Sequence, residues 1–221
     1  MNKLFHLDNP FFSLMGKVFD LLVLNVLWLL LCIPMITIVP ATTALYYSVV
    51  KVVRKERGYA IQEFWYSFKQ NLREGSFCSV VVIIVLFILW IDFRYTLLLL
   101  QQENMIGSAF LVVFLIISIL ICAIFMYLCP ILSRFEMSLI GLFKMAFVMS
   151  AKHILTTFGL IGFFAIVLFG TYIIRPCIFI FPVAGVLLSS FLIEPVLKKY
   201  MPAKKSDKQE EYDGKDEWYL E

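Results

Sequence analysis

Residues 31–72 read LCIPMITIVPATTALYYSVVKVVRKERGYAIQEFWYSFKQNL, and this stretch decides how the chain folds. It completes a charge-free run that extends from Leu21 to Val50. A single helix over that run would be about 45 Å long, whereas the hydrocarbon core of a bilayer is only about 30 Å thick. Because proline removes a helical donor and clashes with the preceding turn, Pro34 and Pro40 are expected to divide the run. The stretch therefore predicts a first membrane span that ends near these prolines and a separate helix after them.

The composition is that of a membrane protein. Of 221 residues, 62% are hydrophobic and 16% are charged, against about 25% charged residues in a soluble domain. The net charge of +3 is small and does not suggest a nucleic-acid partner. We therefore expect an all-α polytopic membrane protein whose main partner is the lipid bilayer.

Amphipathic segments follow the apolar runs. Residues 41–55 are predicted to restart as a helix at the membrane interface. In the next segment, residues 61–73, one helical face is apolar and aromatic and the other carries polar and charged side chains, with apolar positions Ile61, Phe64, Trp65, Phe68 and Leu72. Trp and Tyr beside Lys and Arg suit the headgroup layer, so this segment is predicted as a second interfacial helix. The alternative is a helix packed on the cytoplasmic side of its own protein. Residues 136–150 form a third such segment.

Five charge-poor segments are long enough to cross the bilayer. They are predicted at residues 18–39, 76–96, 106–132, 154–174 and 176–194. A sixth span results if residues 41–50 also cross. Residues 1–201 then form one integral membrane domain. Residues 202–221 are polar and cannot bury enough apolar area to fold alone, so they are predicted as a disordered cytoplasmic tail.

The basic residues predict the orientation, because cytoplasmic connections carry an excess of Lys and Arg. In the five-span arrangement, the connections after spans one, three and five hold six, three and six basic residues. The opposite side holds two, one and one. This asymmetry places the N-terminus outside and the C-terminus in the cytoplasm. Six spans would place the N-terminus inside.

Two halves of the chain are similar. Leu31-Cys32-Ile33-Pro34 ends the first span, and Leu128-Cys129-Pro130 ends the third. Phe, Ser, Lys and Leu also agree between residues 64–72 and 147–155. Both units enter the membrane in the same direction, which predicts a parallel internal repeat.

Chemical motifs are missing from the sequence. It contains no His-Glu-x-x-His, no Gly-x-Ser-x-Gly and no phosphate-binding glycine loop, and its five cysteines form no Cys-x-x-Cys pair. We therefore expect no catalytic, cofactor-binding or metal-binding residues and no enzymatic activity. The candidate charged contacts lie near span ends, and they are Asp92, Arg94, Arg175 and Glu194. Pairing of Asp92 or Asp20 with Arg175 on the outer side is one arrangement that these positions allow.

The residues from Pro34 to Tyr47, followed by the aromatic segment 64–72, resemble the YesL family of small bacterial integral membrane proteins. The resemblance covers residues 11–199, although Val39 stands where the family commonly has glycine. It implies a location in the bacterial cell (inner) membrane and an accessory role around carbohydrate transport, and it carries no known catalytic residues. The candidate structural or partner-contact motif is Pro34, Thr37, Pro40, Ala44, Trp65, Phe68 and Lys69.

Two functions follow as expectations. The first is a non-enzymatic accessory protein that supports carbohydrate uptake through contacts with membrane transporter subunits. The second is a small transporter or channel assembled as a dimer, which the repeat and the proline breaks suggest. The ligand, the partner and the oligomeric state are not determined by the sequence.

Overall fold

The computed structural model describes residues 10–100, 105–173 and 181–201. Within these ranges the chain forms seven α-helices and no strand. The all-α prediction is confirmed. The helices are α1 (Pro10–Cys32), α2 (Ile38–Ser48), α3 (Ala60–Leu100), α4 (Met105–Leu132), α5 (Leu139–Lys152), α6 (Ile154–Ile173) and α7 (Phe181–Lys198).

Six helical stretches in the described ranges are long and apolar enough to cross a membrane. The chain is therefore a polytopic membrane protein. The second stretch, Met35–Arg54, contains α2 and differs from the others because 78% of it is buried inside the protein. Four of the other stretches are at most 11% buried, so they expose apolar surface while α2 is enclosed by protein.

Helices α1 and α2 form an antiparallel hairpin. At its closed end Met35–Thr37 make one 3-10 turn, and the Thr37 hydroxyl donates to the carbonyl groups of Leu31 and Pro34. These bonds satisfy carbonyls that a helix end leaves without partners. Trp28 Nε1 donates to Thr42 Oγ1 at 3.1 Å. At the open end Lys17 pairs with Glu56 at 2.5 Å, so the start of α1 lies beside the connection between α2 and α3.

Helix α2 also packs antiparallel to the first half of α3. Near the start of α2, the Val39 amide donates to Ser79 Oγ at 3.0 Å and Pro40 lies against Gly75. At the other end, Lys51 Nζ pairs with Glu63 at 2.9 Å. Lys51 belongs to the π-helical segment Val49–Arg54, which follows α2 directly.

The structure differs from the predicted interfacial helix over 41–55. The helix begins at Ile38, and nine of the eleven residues of α2 are buried. An interfacial helix would keep one face in the headgroup layer. Here α1, α3, α4 and α7 surround α2, because small side chains such as Ala41 and Ala44, both fully buried, allow neighbours to approach closely.

The segments predicted separately at 61–73 and 76–96 form one continuous helix, α3. The sequence between them contains Glu74 and Gly75 but no proline, so the helical hydrogen bonds continue through it. Gly75 is needed there because Pro40 occupies the space that a side chain would take.

The remaining helices pack in antiparallel pairs. Tyr95 and Phe93 of α3 contact Phe110 and Phe114 of α4, with ring centroids 6.4 and 5.8 Å apart. Tyr127 of α4 lies 3.3 Å from Thr157 of α6 between hydroxyl oxygens. Helices α6 and α7 are the third pair in close contact.

Other helix ends differ from the predicted positions, and the largest difference is in α1, which covers Pro10–Cys32 where residues 18–39 were predicted. Helix α1 ends at Cys32, before Pro34, and α5 begins after Ser138, whose hydroxyl accepts from the Gly141 amide. Helix α7 continues past Glu194 and contains Pro195. The residues 174–180 and 202–221 lie outside the described ranges, and with them the start of the predicted fifth span and the predicted tail. The internal repeat stays a prediction.

Substitution of Gly75 by alanine tests the α2–α3 contact. An added Cβ would lie 2.9 Å from Pro40 Cβ and 3.0 Å from the Pro40 nitrogen, so the two helices must separate. We expect G75A to lower the free energy of unfolding by about 1–3 kcal/mol, despite the better helix propensity of alanine. Thermal unfolding in detergent measures this change.

Gly162→Ala is the matched control, because nothing lies within 4 Å of a Cβ at that position of α6. It should leave the midpoint unchanged or raise it slightly. Equal midpoints for G75A and G162A would show that α2 and α3 do not approach as closely as described.

Candidate functional site

A buried ion pair joins three segments that are far apart in the chain. Arg134 Nη2 lies 2.7 Å from Glu194 Oε1, and the two side chains are 0% and 8% exposed. The Tyr46 hydroxyl donates to the same carboxylate oxygen at 3.0 Å. Tyr46 belongs to α2, Arg134 follows α4 and Glu194 belongs to α7. We call these three residues the buried cluster.

The buried cluster costs free energy to form and more to break. Removing two charges from water costs several kcal/mol per ion, and their mutual attraction offsets this only when the geometry and the additional hydrogen bonds are good. Tyr46 supplies one such bond to Glu194. The pair is therefore weak evidence for net stability, whereas loss of one partner would leave an uncompensated buried charge.

Two further cations anchor the π-helical segment that follows α2. Arg54 Nη1 donates to the Ser190 carbonyl at 2.9 Å and to its hydroxyl at 3.1 Å, and the guanidinium carbon lies 4.1 Å from the centroid of the Phe191 ring. Lys51, whose side chain is 8% exposed, pairs with Glu63 and donates to the Tyr47 hydroxyl at 3.2 Å. Both cations thus face the protein, within the connection that the sequence predicted to be cytoplasmic.

A cavity of about 300 Å³ lies next to the buried cluster, between α2, α3, α4, α6 and α7. Tyr46 and Ile193 belong to its wall, so the cavity begins where the buried cluster ends. Most of the lining side chains are apolar, with the hydroxyls of Thr42, Tyr46, Ser118 and Ser189 as the polar exceptions. We call this space the bundle cavity.

The arrangement is suited to binding an apolar group. Sugar hydroxyls would lose their water hydrogen bonds in the bundle cavity and find few partners, which is costly. Among the residues that the structure describes, no group of three His, Cys, Asp or Glu side chains is placed to hold a metal ion.

The predicted motif residues in the α1–α2 hairpin form its turn and its contact with α3. Pro34 is exposed at the 3-10 turn and Thr37 closes that turn. Pro40 is buried against Gly75, and Ala44 is fully buried. These four residues therefore shape the α1–α2 hairpin and its contact with α3.

The aromatic part of the predicted motif is divided between core and surface. Phe68 is buried, while Trp65 is 38% exposed and Lys69 is exposed. Trp65 packs edge-on against Phe68 with ring centroids 5.7 Å apart, which fixes its ring. We give the name α3 outer face to five exposed residues on one side of the first half of α3, namely Ile61, Trp65, Lys69, Leu72 and Arg73.

The predicted charged contacts are in three places. Asp92 and Arg94 are exposed on the second half of α3. Arg175 lies outside the described residues, so its predicted pairing with Asp92 or Asp20 stays a prediction. Glu194 is in the buried cluster.

Sequence reasoning missed Arg134 and Tyr46 as the partners of Glu194. One signal was available: Arg134 and Glu194 are the first charges after two apolar runs that were predicted to end on the same side of the membrane. Two such charges can meet at one end of a bundle. Tyr46 gave no comparable signal, because it lies inside a charge-free run.

Comparison with known families gives one match. A family model described as "Protein of unknown function, DUF624" matches residues 21–93. The chain is similar to that family over this third of its length. The matched residues include the second half of α1, all of α2 and most of α3, so they contain the closed end of the hairpin and its packing partner. No curated protein and no solved structure matches the chain. The resemblance to the YesL family stays a prediction.

Removing one charge of the buried cluster should be strongly destabilising. In Glu194→Gln the Arg134 guanidinium remains buried without its carboxylate, which costs about 3–5 kcal/mol. The double variant R134L/E194L should recover part of this loss, because it leaves no buried charge, while the Tyr46 hydroxyl loses its acceptor. Thermal unfolding of R134L, E194L and R134L/E194L in detergent, analysed as a double-mutant cycle, measures the coupling.

The exposed pair of Lys17 and Glu56 provides the control. The hydrogen bond from Lys17 lowers the pKa of the Glu56 carboxyl, so any stabilisation from this pair disappears as the pH falls through that lowered value. Glu56→Gln should leave the midpoint at neutral pH nearly unchanged, since exposed pairs contribute little. A midpoint for E194Q as high as that of E56Q would contradict the buried ion pair.

Proposed function

We propose that the protein is a non-enzymatic accessory protein of the bacterial cell membrane, which supports carbohydrate uptake by contacting membrane transporter subunits. The observation that carries the accessory role is the α3 outer face. This face presents Trp65 and Lys69 on the first half of α3, whose opposite side packs against α2. The link to carbohydrate uptake is supported by the resemblance to the YesL family.

The α3 outer face has the composition of a protein contact. Trp and Arg are enriched where partner proteins bind, and this face carries Trp65 and Arg73 beside apolar Ile61 and Leu72. The Lys51–Glu63 pair and the contact of Pro40 with Gly75 hold α3 against α2. A rigid aromatic anchor loses little conformational freedom on binding, which favours affinity.

The second candidate is a small transporter or channel, assembled as a dimer. It is favoured by the buried cluster beside the bundle cavity, because ionisable residues within a membrane bundle often mark a substrate or ion path. The apolar lining of the cavity argues against a sugar as the transported solute. Flux of a sugar panel into proteoliposomes distinguishes the two functions, and the accessory role predicts no flux.

We further propose that residues before α1 and residues after α7 lie on the cytoplasmic side. The pairing of Lys17 with Glu56 brings the start of α1 next to the connection that holds Lys55 and Arg57. That connection is strongly basic and belongs on the cytoplasmic side. This proposal replaces the five-span orientation by the six-span alternative, in which α1 and α2 both cross the membrane.

Cysteine accessibility tests the orientation. In a variant without the native cysteines, single cysteines at Lys17 and at Lys199 should both be protected from a membrane-impermeant maleimide in intact cells. Both should react after the membrane is permeabilised. Labelling of the cysteine at position 17 in intact cells would contradict this proposal and support the five-span orientation.

Site-specific crosslinking tests the partner contact. A benzoylphenylalanine at Trp65 should form a crosslink to a transporter subunit, identified by mass spectrometry, in cells that express a carbohydrate-uptake system. The matched control is the same substitution at Trp90, which is also exposed but lies on the apolar half of α3. Position 90 should crosslink to lipid only. The same crosslinks at both positions, or none to protein at position 65, would contradict the accessory role.

A further inference from the structure

The bundle cavity is elongated along α4. One face of this helix lines it over three turns, at the i, i+3, i+4 and i+7 spacing of a helical stripe, with residues Ser118, Ile121, Cys122, Phe125, Met126, Cys129 and Pro130. From Ser118 to Pro130 the rise along the helix is about 18 Å. The space of about 300 Å³ is therefore a narrow slot and not a rounded chamber.

The slot is apolar along its length and has one unsatisfied polar atom. Leu86 and Leu89 of α3, Phe164 of α6 and Val186 of α7 form the walls opposite α4. The Ser118 hydroxyl oxygen is buried and has no hydrogen-bond partner within the described structure. An apolar slot does not hold water favourably, so a hydrocarbon group is the chemistry that fits it.

The slot is open to the outer surface of the helix bundle. Leu86 on α3 and Cys122 on α4 both line it and are both exposed on the outer surface. In a membrane protein that surface meets lipid chains. A chain can therefore enter from the bilayer without passing through a polar region.

We infer that the slot binds one linear hydrocarbon chain of a bilayer lipid. A single leaflet provides about half of the 30 Å hydrocarbon thickness, which is close to the length of the slot along α4. A chain in the slot makes dispersion contacts with side chains of α3, α4, α6 and α7 that an empty slot would forfeit. Its polar end then lies near Tyr46 and Thr42, beside the buried cluster. This inference goes beyond the accessory role and does not depend on it.

Native mass spectrometry tests the inference with a defined probe. The protein is reconstituted in palmitoyl-oleoyl phosphatidylglycerol, extracted in mild detergent and stripped of loosely held lipid. We expect one retained lipid per protein. In Ser118→Phe the added ring occupies part of the slot and removes dispersion contacts with the chain, which should largely abolish lipid retention.

Ser108→Phe is the matched control, because Ser108 lies on the same helix, is exposed and does not line the slot. It should retain lipid like the unmodified protein. If S118F does not fold, Ser189→Leu fills the slot from α7 and should have the same effect. No retained lipid in the unmodified protein, or equal retention in S118F, S189L and S108F, would overturn the inference. Retention of a co-purified branched or ring-shaped lipid in preference to the probe would also overturn it.

Discussion

The burial of α2 is the constraint on which the rest of the structure depends. This helix is short and apolar, yet it is enclosed by α1, α3, α4 and α7 instead of facing lipid. Enclosure requires that neighbouring helices approach α2 closely. The small, fully buried side chains of Ala41 and Ala44 allow this approach, and so does Gly75, which contacts Pro40. Enclosure also requires that polar groups on α2 find partners, as Thr42 does with Trp28 and Tyr46 with Glu194.

Two features of the site follow from this enclosure. The π-helical segment after α2 carries Lys51 and Arg54 into the protein, where they bind Glu63 and the Ser190 carbonyl. Thr42 in the middle of α2 and Tyr46 near its end close one end of the bundle cavity. The same helix therefore orders the charged groups, limits the cavity and supports the α3 outer face from behind. A change in the packing of α2 is expected to alter all three together.

Much of the fold could be predicted from apolar runs, because a run of hydrocarbon length has few alternatives to a membrane helix. Helices α4 and α6 lie within a residue or two of their predicted ends. The burial of α2 could not be predicted, since an apolar helix at an interface and one in a protein core have similar compositions. The packing of Gly75 in α3 against Pro40, 35 residues away, depends on tertiary structure and is not encoded locally. The pairing of Tyr46 with Glu194 joins residues 148 positions apart, and no local pattern encodes it.

The most direct test of the account is amide hydrogen exchange of the protein in lipid nanodiscs, compared between residues 38–54 and residues 61–73. A helix enclosed by four others opens only with the disruption of the bundle, whereas a helix with an exposed face also exchanges through smaller local openings. The account predicts that peptides from 38–54 are among the slowest to exchange and clearly slower than those from 61–73. Exchange over 38–54 as fast as over 61–73 would show that α2 lies at the surface, and would contradict the arrangement from which the site was derived.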